Sequence, residues 1–272
     1  MSPMNNRLLV PRKVPGLLDL VPGAAAAYSL RSLSNSYADP VVTVRRSSDD
    51  AEEDFTAAEV DDGTLAAFCG AGDGFVKQWW DQSGNARHAS QSTSGAQPQI
   101  VDAGVVILKE GKPAIEFDGV DDRLAGSPIG INALTRKLSV ACLKAGMHVQ
   151  VRSVGNGNNL ELQETNISFF TAGSAYNSGS FAAEDTMLLT AAINSPTTFE
   201  SFINGAASQS ETGIGPTDDA FASNINIGFR ETDAGTAQQK AAGSVAELVF
   251  WGTLESLNLR AAEGNIAWSY SV

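Results

Sequence analysis

The stretch TTFESFINGAAS, residues 197–208, sets an Asn-Gly pair between two short runs that contain aromatic, aliphatic and small residues. Asn204 and Gly205 suit a type I′ turn, because that turn needs positive φ at both central positions. The stretch therefore predicts a tight hairpin, and a tight hairpin joins two antiparallel strands.

Similar strand-like runs recur along most of the chain, at about one per 8–12 residues, with turn residues between them. This spacing is typical of an antiparallel sandwich or barrel. The runs cover residues 41–46, 74–80, 97–119, 137–145, 148–155, 159–165, 167–173, 186–193, 224–230 and 243–252. The pattern predicts an all-β, antiparallel fold, a sandwich or a barrel, built from one large domain.

Two segments that flank the strands have helical patterns. Residues 17–37 include an alanine-rich run in which Ala27, Leu30 and Leu33 share a face at helical spacing. Residues 256–272 form a second short segment of this kind. We predict a short helix at each end of the β domain, which spans residues 17–272.

The first residues, 1–16, differ in composition from the rest. They contain three prolines and three basic residues, Arg7, Arg12 and Lys13, with no acidic residue. Prolines block both helix and central strand positions, so this segment predicts an extended arm. We expect the arm to bind a neighbouring chain, with the three basic side chains as anchors.

The charge balance limits the partners. Acidic residues outnumber basic ones 31 to 18, which gives a net charge of −13. Such a surface repels phosphate backbones and anionic membranes, so we expect neither nucleic acid nor membrane as a partner. No apolar stretch reaches the ~18 residues of a membrane span, and no signal-peptide pattern is evident. We expect an unprocessed, soluble product made inside the cell.

Cysteine and acidic residues give no clear metal site. Cys69 and Cys142 are far apart in sequence and belong to no zinc-type cluster. The sequence allows a disulfide between them but does not imply one. Asp121 and Asp122 could contribute to a calcium site, but no dense acidic loop surrounds them. We predict no metal and no cofactor.

The stretch QWWDQSGNARHASQ, residues 78–91, has two interpretations. In the structural one, Asp81 caps a turn and the strand before it packs into the core. In the functional one, Trp80 is an exposed platform for a sugar ring, and Asp81, Asn85 and His88 bond its hydroxyls. Adjacent tryptophans on a strand point to opposite faces, which keeps the carbohydrate interpretation open.

Three stretches carry a resemblance to known families: AYSLRSLSNSYADPVVTVRRSSDD (27–50), FVKQWWDQSGNARHASQSTSGAQPQIV (75–101) and GKPAIEFDGVDDRL (111–124). Together they resemble the opening half of the catalytic sandwich of fungal-type α-L-arabinofuranosidase B. They resemble more closely virion proteins of phages and prophages that carry the same module. The second half of the chain is similar to laminin-G or concanavalin-A-like lectin domains. The resemblance implies an all-β, antiparallel jelly-roll sandwich of the concanavalin-A-like kind.

The resemblance implies a non-enzymatic structural protein of a phage-like virion, such as a capsid decoration, head-fibre or tail-associated protein. In that interpretation the chain forms a homo-oligomer, is made in the host cytoplasm, and binds other virion proteins through its arm. A second hypothesis is a carbohydrate-binding adhesin that grips a host surface glycan. The third is an arabinofuranosidase-like hydrolase, for which Glu116, Asp118 and Glu247 are the candidate carboxyls.

Overall fold

The hairpin predicted at Asn204-Gly205 is present. Strand β18, Thr198–Ile203, pairs antiparallel with strand β19, Ala206–Thr212. Asn204 and Gly205 both have positive φ, 49° and 74°, as a type I′ turn requires.

Short strands make up most of the described chain. The computed structural model describes residues 14–131, 136–143, 148–152, 159–163, 166–171, 174–177, 187–195, 198–212, 221–231, 237–252, 261–262 and 264–266. The helices are α1 Leu17–Leu20, α2 Ala57–Asp61 and α3 Thr64–Cys69, with a 3₁₀ turn at Ser94–Ala96. The remaining strands are β1 Ala24–Ser29, β2 Val42–Arg46, β3 Glu52–Phe55, β4 Gly74–Trp79, β5 Ala89–Ser90, β6 Gln99–Asp102, β7 Val105–Val106, β8 Leu108–Lys109, β9 Lys112–Pro113, β10 Ile115–Asp118, β11 Leu124–Ile131, β12 Arg136–Leu143, β13 His148–Arg152, β14 Asn159–Gln163, β15 Asn166–Thr171, β16 Ser174–Asn177, β17 Met187–Ser195, β20 Phe221–Ile227, β21 Phe229–Glu231, β22 Ala237–Lys240 and β23 Ala242–Trp251.

The strands form two antiparallel layers, so the prediction of an all-β sandwich is confirmed. The front sheet has the order β16-β15-β14-β13-β20-β11-β5-β4-β2-β3. The back sheet has the order β19-β18-β17-β12-β23. On its other side, β23 pairs with β1 along one half of its length and with β10 along the other half. Strand β6 pairs with both β4 and β10 and so joins the two sheets.

The main core lies between the two sheets. Trp79 and Ile225 of the front sheet belong to one buried cluster with Tyr28, Leu248 and Phe250 of the back sheet. The Tyr28 ring lies 5.6 Å from the Trp79 ring and 6.5 Å from the Phe250 ring, measured between centroids. Aromatic pairs at such spacings add to the stabilisation from buried area.

A second cluster covers the opposite face of the back sheet. Val249 and Trp251 of β23 pack there with Leu17 of α1 and with Ala262 and Ile266 near the end of the chain. Residues 261–262 and 264–266 are helical, as predicted; the rest of the segment 256–272 lies outside the described residues. The back sheet is therefore buried on both faces.

The helix predicted over residues 17–37 is wrong for most of its length. Only Leu17–Leu20 is helical, and Ala24–Ser29 is strand β1, paired with β23. Ala26 packs into the core between the sheets, whereas Ala24 and Ala27 pack into the second cluster. A strand buried on both faces reads as a continuous apolar run without alternation, and this packing overrides the helix propensity of alanine.

The sequence analysis also missed helices α2 and α3. Thr56 caps α2 by accepting a hydrogen bond from the Glu59 amide, and the Glu59 carboxylate in turn accepts one from the Thr56 amide. This T-x-x-E capping box was a readable signal in the sequence. Cys69 ends α3 as a buried free thiol, so it forms no disulfide with Cys142. Among the described residues, no helix is long and apolar enough to cross a membrane.

Candidate functional site

The front sheet carries polar residues on the face that is turned away from the core, which we call the polar face. Val149, Ile225 and Ile227 point into the core, so the residues between them point the other way. Directly paired residues share one face of a sheet, and the ladder therefore defines a continuous row across eight strands. In order from the β3 edge, the row is Asp54, Thr43, Gln78, Ser90, Ala125, Asn226, Gln150 and Glu161.

One end of the row is buried. Glu161 is 0% exposed and Asn226 is 1% exposed, although both face away from the core. They stand on β14 and β20, with β13 between them, so their backbones are two strand spacings apart, roughly 10 Å. A carboxylate withdrawn from water is costly unless polar groups surround it, so a buried glutamate at this place is a candidate functional group.

The other end of the row is open and aromatic. Trp80 follows β4 on the polar face, and its indole Nε1 donates a 2.9 Å hydrogen bond to Thr43 Oγ1. Thr43 in turn donates a 2.6 Å bond to Asp54. The His88 ring lies 4.6 Å from the Trp80 ring. Both rings are partly exposed, so the predicted aromatic platform lies on the same face as Glu161.

Asp81 holds the loop after Trp80 against strand β1. Its Oδ1 accepts hydrogen bonds from the amides of Ala27, at 2.8 Å, and Ser83, at 2.9 Å. Its Oδ2 accepts from the Ser83 hydroxyl, at 2.8 Å, and the Arg87 amide, at 3.0 Å. Asp81 is 4% exposed, so its hydrogen-bonding capacity serves the loop.

Asn85 and His88 also bond within the loop and to β1. Asn85 Nδ2 donates to the carbonyl oxygens of Ala24, at 3.0 Å, and Ala25, at 3.1 Å. His88 Nδ1 accepts a 3.0 Å bond from the Asp81 amide. The structural interpretation accounts for these contacts. Carbohydrate binding by Trp80, Asp81, Asn85 and His88 stays a prediction.

A cleft of about 380 Å³ opens beside the row, where Arg45, Phe75, Gln99, Asp118 and Asp122 contribute to its lining. The Arg45 guanidinium lies 4.9 Å from the centre of the Phe75 ring and bonds Gln97 and Asp50. Asp122 is 9% exposed, and its Oδ2 accepts a 3.0 Å bond from the Asp118 amide.

The two aspartates of this cleft have pKa values shifted in opposite directions. Burial tends to raise the pKa of Asp118, but backbone N–H bonds from Val120, Asp121 and Asp122 outweigh it and lower the pKa. Burial raises the pKa of Asp122 to about 6, and the nearby charges of Asp118 and Asp121 add to the rise. Asp118 is thus a carboxylate at neutral pH, whereas Asp122 takes up a proton near pH 6. Asp118, Asp121 and Asp122 have carboxylate oxygens within 4.8 Å of one another. This spacing would suit one cation, although exposed acidic groups are common without one.

We expect Asp122→Asn to stabilise the fold above pH 6. A carboxyl whose pKa is raised in the folded state destabilises that state once ionised, and this cost disappears as the pH falls from about 6 towards 4. The free energy of unfolding should rise by about 1–2 kcal/mol at pH 7.5 and stay unchanged at pH 4. Urea denaturation at both pH values measures this, with Asp121→Asn as the exposed control. An equal gain at both pH values would contradict the assigned cause.

The other carboxyls proposed from the sequence lie apart from the buried end of the row. Glu116 is on β10 and forms a 3.2 Å ion pair with Lys109. Glu247 is buried on the face of the back sheet that packs under the terminal helical residues, and it bonds Ser29 and Arg31. Glu161 was not predicted from the sequence. The alternation in NLELQ nevertheless places its side chain on the other face of the strand from Leu160 and Leu162.

These features define an all-β sandwich with a polar, partly buried sheet face. Residues 19–107 match the family of the α-L-arabinofuranosidase B catalytic domain. None of the curated proteins matches the sequence.

Solved arabinofuranosidases share the fold of nearly the whole chain. One, an arabinofuranosidase in complex with arabinofuranosyl-α-1,2-xylobiose, superposes with a TM-score of 0.70 at 14% identity. A GH54 α-L-arabinofuranosidase soaked with a cyclic sulfate inhibitor superposes with a TM-score of 0.67, also at 14% identity. Each alignment covers 92% of this chain and 64% of the other, so the chain spans less than two thirds of those enzymes.

These findings correct the predicted function. The chain was expected to be a non-enzymatic structural protein of a virion, and that prediction is wrong, because the matching family and the similar structures are those of a catalytic domain. Nothing supports a phage origin, whereas the resemblance to arabinofuranosidase B is confirmed for residues 19–107.

The predictions for the arm remain as they were. The anchoring residues Arg7, Arg12 and Lys13 lie outside the described residues. Their binding of a neighbouring chain, the homo-oligomer and the cellular location therefore stay predictions.

Proposed function

We propose that the chain is a glycoside hydrolase that removes arabinofuranosyl groups from neutral saccharides. The observation that carries the proposal is the match to an arabinofuranosidase B catalytic domain, in a chain that holds a buried carboxylate on the polar face of the same sandwich.

Glu161 supplies one of the two carboxyls that glycoside hydrolysis requires. Its burial keeps bulk water away from the carboxyl group, so the group acts on a developing oxocarbenium ion more strongly than it would at the surface. Asn226, in the same row, is an amide with both donor and acceptor groups, which suits the hydroxyls of a sugar ring.

Asp122 does not supply the second carboxyl, although its pKa of about 6 would suit an acid that protonates the leaving-group oxygen. Ala125, three residues after Asp122, lies three strand spacings from Glu161 in the polar row, roughly 14 Å. The two carboxyls of a glycosidase lie only about 5–9.5 Å apart. We therefore assign a catalytic role to Glu161 alone.

Trp80 offers the substrate an aromatic surface on the same face. Its indole N–H is already bonded to Thr43, so the ring is held in one orientation while part of it stays exposed. A fixed aromatic face binds the apolar side of a sugar ring without much loss of side-chain entropy.

The direct test is hydrolysis of 4-nitrophenyl α-L-arabinofuranoside, the compound soaked into a Glu-to-Gln mutant of a GH54 arabinofuranosidase. We expect release of nitrophenol by the purified full chain, faster at pH 5 than at pH 8, since the acid must be protonated. The 4-nitrophenyl glycosides of β-D-xylopyranose and β-D-galactopyranose are matched controls. Absence of turnover of the arabinofuranoside between pH 4 and pH 8 would refute the proposal, whatever happens to the two control glycosides.

A further inference from the structure

A second cleft of about 300 Å³ lies at the start of β1, and its lining shares no residue with the polar row. We call it the tyrosine cleft; its lining includes Tyr37, Asp39, Ser34, Ser36 and Ser83. The volume is at the lower end of the range for small-molecule sites, which is enough for roughly one or two sugar rings.

Tyr37 gives this cleft a fixed aromatic wall. One side of its ring packs against the main core, and its hydroxyl donates a 2.7 Å bond to the Pro40 carbonyl oxygen. Burial, then the charges of Asp39 and Asp81, raises the pKa of Tyr37 to about 12, so the hydroxyl stays protonated and the ring keeps its anchor. The side of the ring that lines the cleft is held in place before any ligand arrives.

Hydroxyl and carboxylate groups line the rest of the cleft. Ser34 and Ser36 have their Oγ atoms 2.9 Å apart, and Ser36 is exposed. Asp39 is exposed and forms no salt bridge with any residue in the described ranges. Gly84 borders open space, since a Cβ built on it would meet no atom within 4 Å.

We propose that the tyrosine cleft is a second saccharide-binding site, which holds one neutral sugar ring of a polysaccharide at a distance from the polar face. The ring would lie on Tyr37, and its hydroxyls would bond Ser36 and Asp39. Asp39 and the chain's net charge of −13 disfavour uronic acids and phosphorylated ligands. The ligand class is therefore neutral.

This site is separate from the proposed catalytic one. Its lining comes from the segment before β1, the segment 34–39 and the turn 82–84, and it includes no member of the polar row. The loop predicted to bind carbohydrate thus borders both sites: Trp80 lies on the polar face, while Ser83 and Gly84 line the tyrosine cleft. Binding in the cleft requires no hydrolysis.

Affinity electrophoresis of the full chain tests the proposal, in native gels that contain soluble arabinoxylan, arabinan, galactomannan or anionic carboxymethylcellulose. We expect retardation by at least one neutral polymer and none by the anionic one. Ser36→Trp, which fills the cleft from an exposed position, and Tyr37→Ala should weaken that retardation about 5- to 10-fold. Tyr37→Phe keeps the ring but loses the hydroxyl bond to Pro40, so it should bind between Tyr37→Ala and the unchanged chain. Val105→Ser, at an exposed position outside the cleft, should bind like the unchanged chain.

Hydrolysis of 4-nitrophenyl α-L-arabinofuranoside, measured in parallel, separates the two proposals. Weaker retardation of Ser36→Trp with unchanged kcat/KM supports the second site. If the chain hydrolyses nothing but Ser36→Trp still loses retardation, the second site stands and the hydrolase proposal fails. The proposal is overturned if no polymer retards the chain, or if Trp80→Ala abolishes retardation while Ser36→Trp and Tyr37→Ala leave it unchanged.

Discussion

Replacement of Glu161 by Gln should lower kcat/KM for 4-nitrophenyl α-L-arabinofuranoside by about 10²- to 10⁴-fold, the usual effect of removing a catalytic acid or base. The side chain is 0% exposed on a sheet face that points away from the core. The amide has the shape of the carboxylate but can neither ionise nor take a proton in the reaction, so the change acts on chemistry more than on packing.

Stability and inhibitor binding distinguish a catalytic Glu161 from a structural one. We expect Glu161→Gln to unfold within a few degrees of the unchanged chain and to bind arabinose-like inhibitors with a similar Kd. Glu53→Gln, on the exposed edge strand β3, is the matched control and should keep full activity. Full activity of Glu161→Gln would remove Glu161 from the mechanism. A loss of activity that only parallels unfolding would make it a structural residue.

Local signals in the sequence were sufficient for the fold class. The Asn-Gly dipeptide at 204–205 determines a turn by its backbone conformation alone, and the regular spacing of short runs follows from antiparallel connectivity. Strand β1 was read as a helix, because its alanines carry no alternation. Only the tertiary structure shows that this strand lies between two apolar layers.

The candidate site was harder to predict, since its members are distant in sequence. Trp80 was found because paired tryptophans must point to opposite faces. Glu161 and Asn226 are separated by 65 residues and meet in one row only through the pairing of β13 with both β14 and β20. Such register depends on the whole sheet, and no local pattern encodes it. For the same reason the contact between Asp81 and β1 could not be predicted, because the sequence does not show that this strand lies beside the loop.

Glu247→Ala should be among the most destabilising single substitutions in the chain, at a cost of about 3–5 kcal/mol. Glu247 is 0% exposed, and its carboxylate accepts bonds from Arg31 Nε at 2.7 Å, Arg31 Nη2 at 2.9 Å and Ser29 Oγ at 2.9 Å. Alanine would leave the guanidinium of Arg31 and the Ser29 hydroxyl without this acceptor in a largely buried place. Thermal unfolding should then begin about 8–15 °C lower, by the usual relation between stability and Tm for a domain of this size.

The same variant also decides whether Glu247 has any part in catalysis. It lies on the helix-covered face of the back sheet, and Arg31, its ion-pair partner, also bonds Asn265 in the terminal helical residues. We therefore expect Glu247→Ala, assayed well below its Tm, to keep the kcat/KM of the unchanged chain within about twofold, because its effect is on folding. Glu247→Gln, which retains an acceptor for Arg31 and Ser29, should lose only part of the stability. A variant that unfolds normally yet cannot hydrolyse the substrate would instead return Glu247 to the list of catalytic carboxyls.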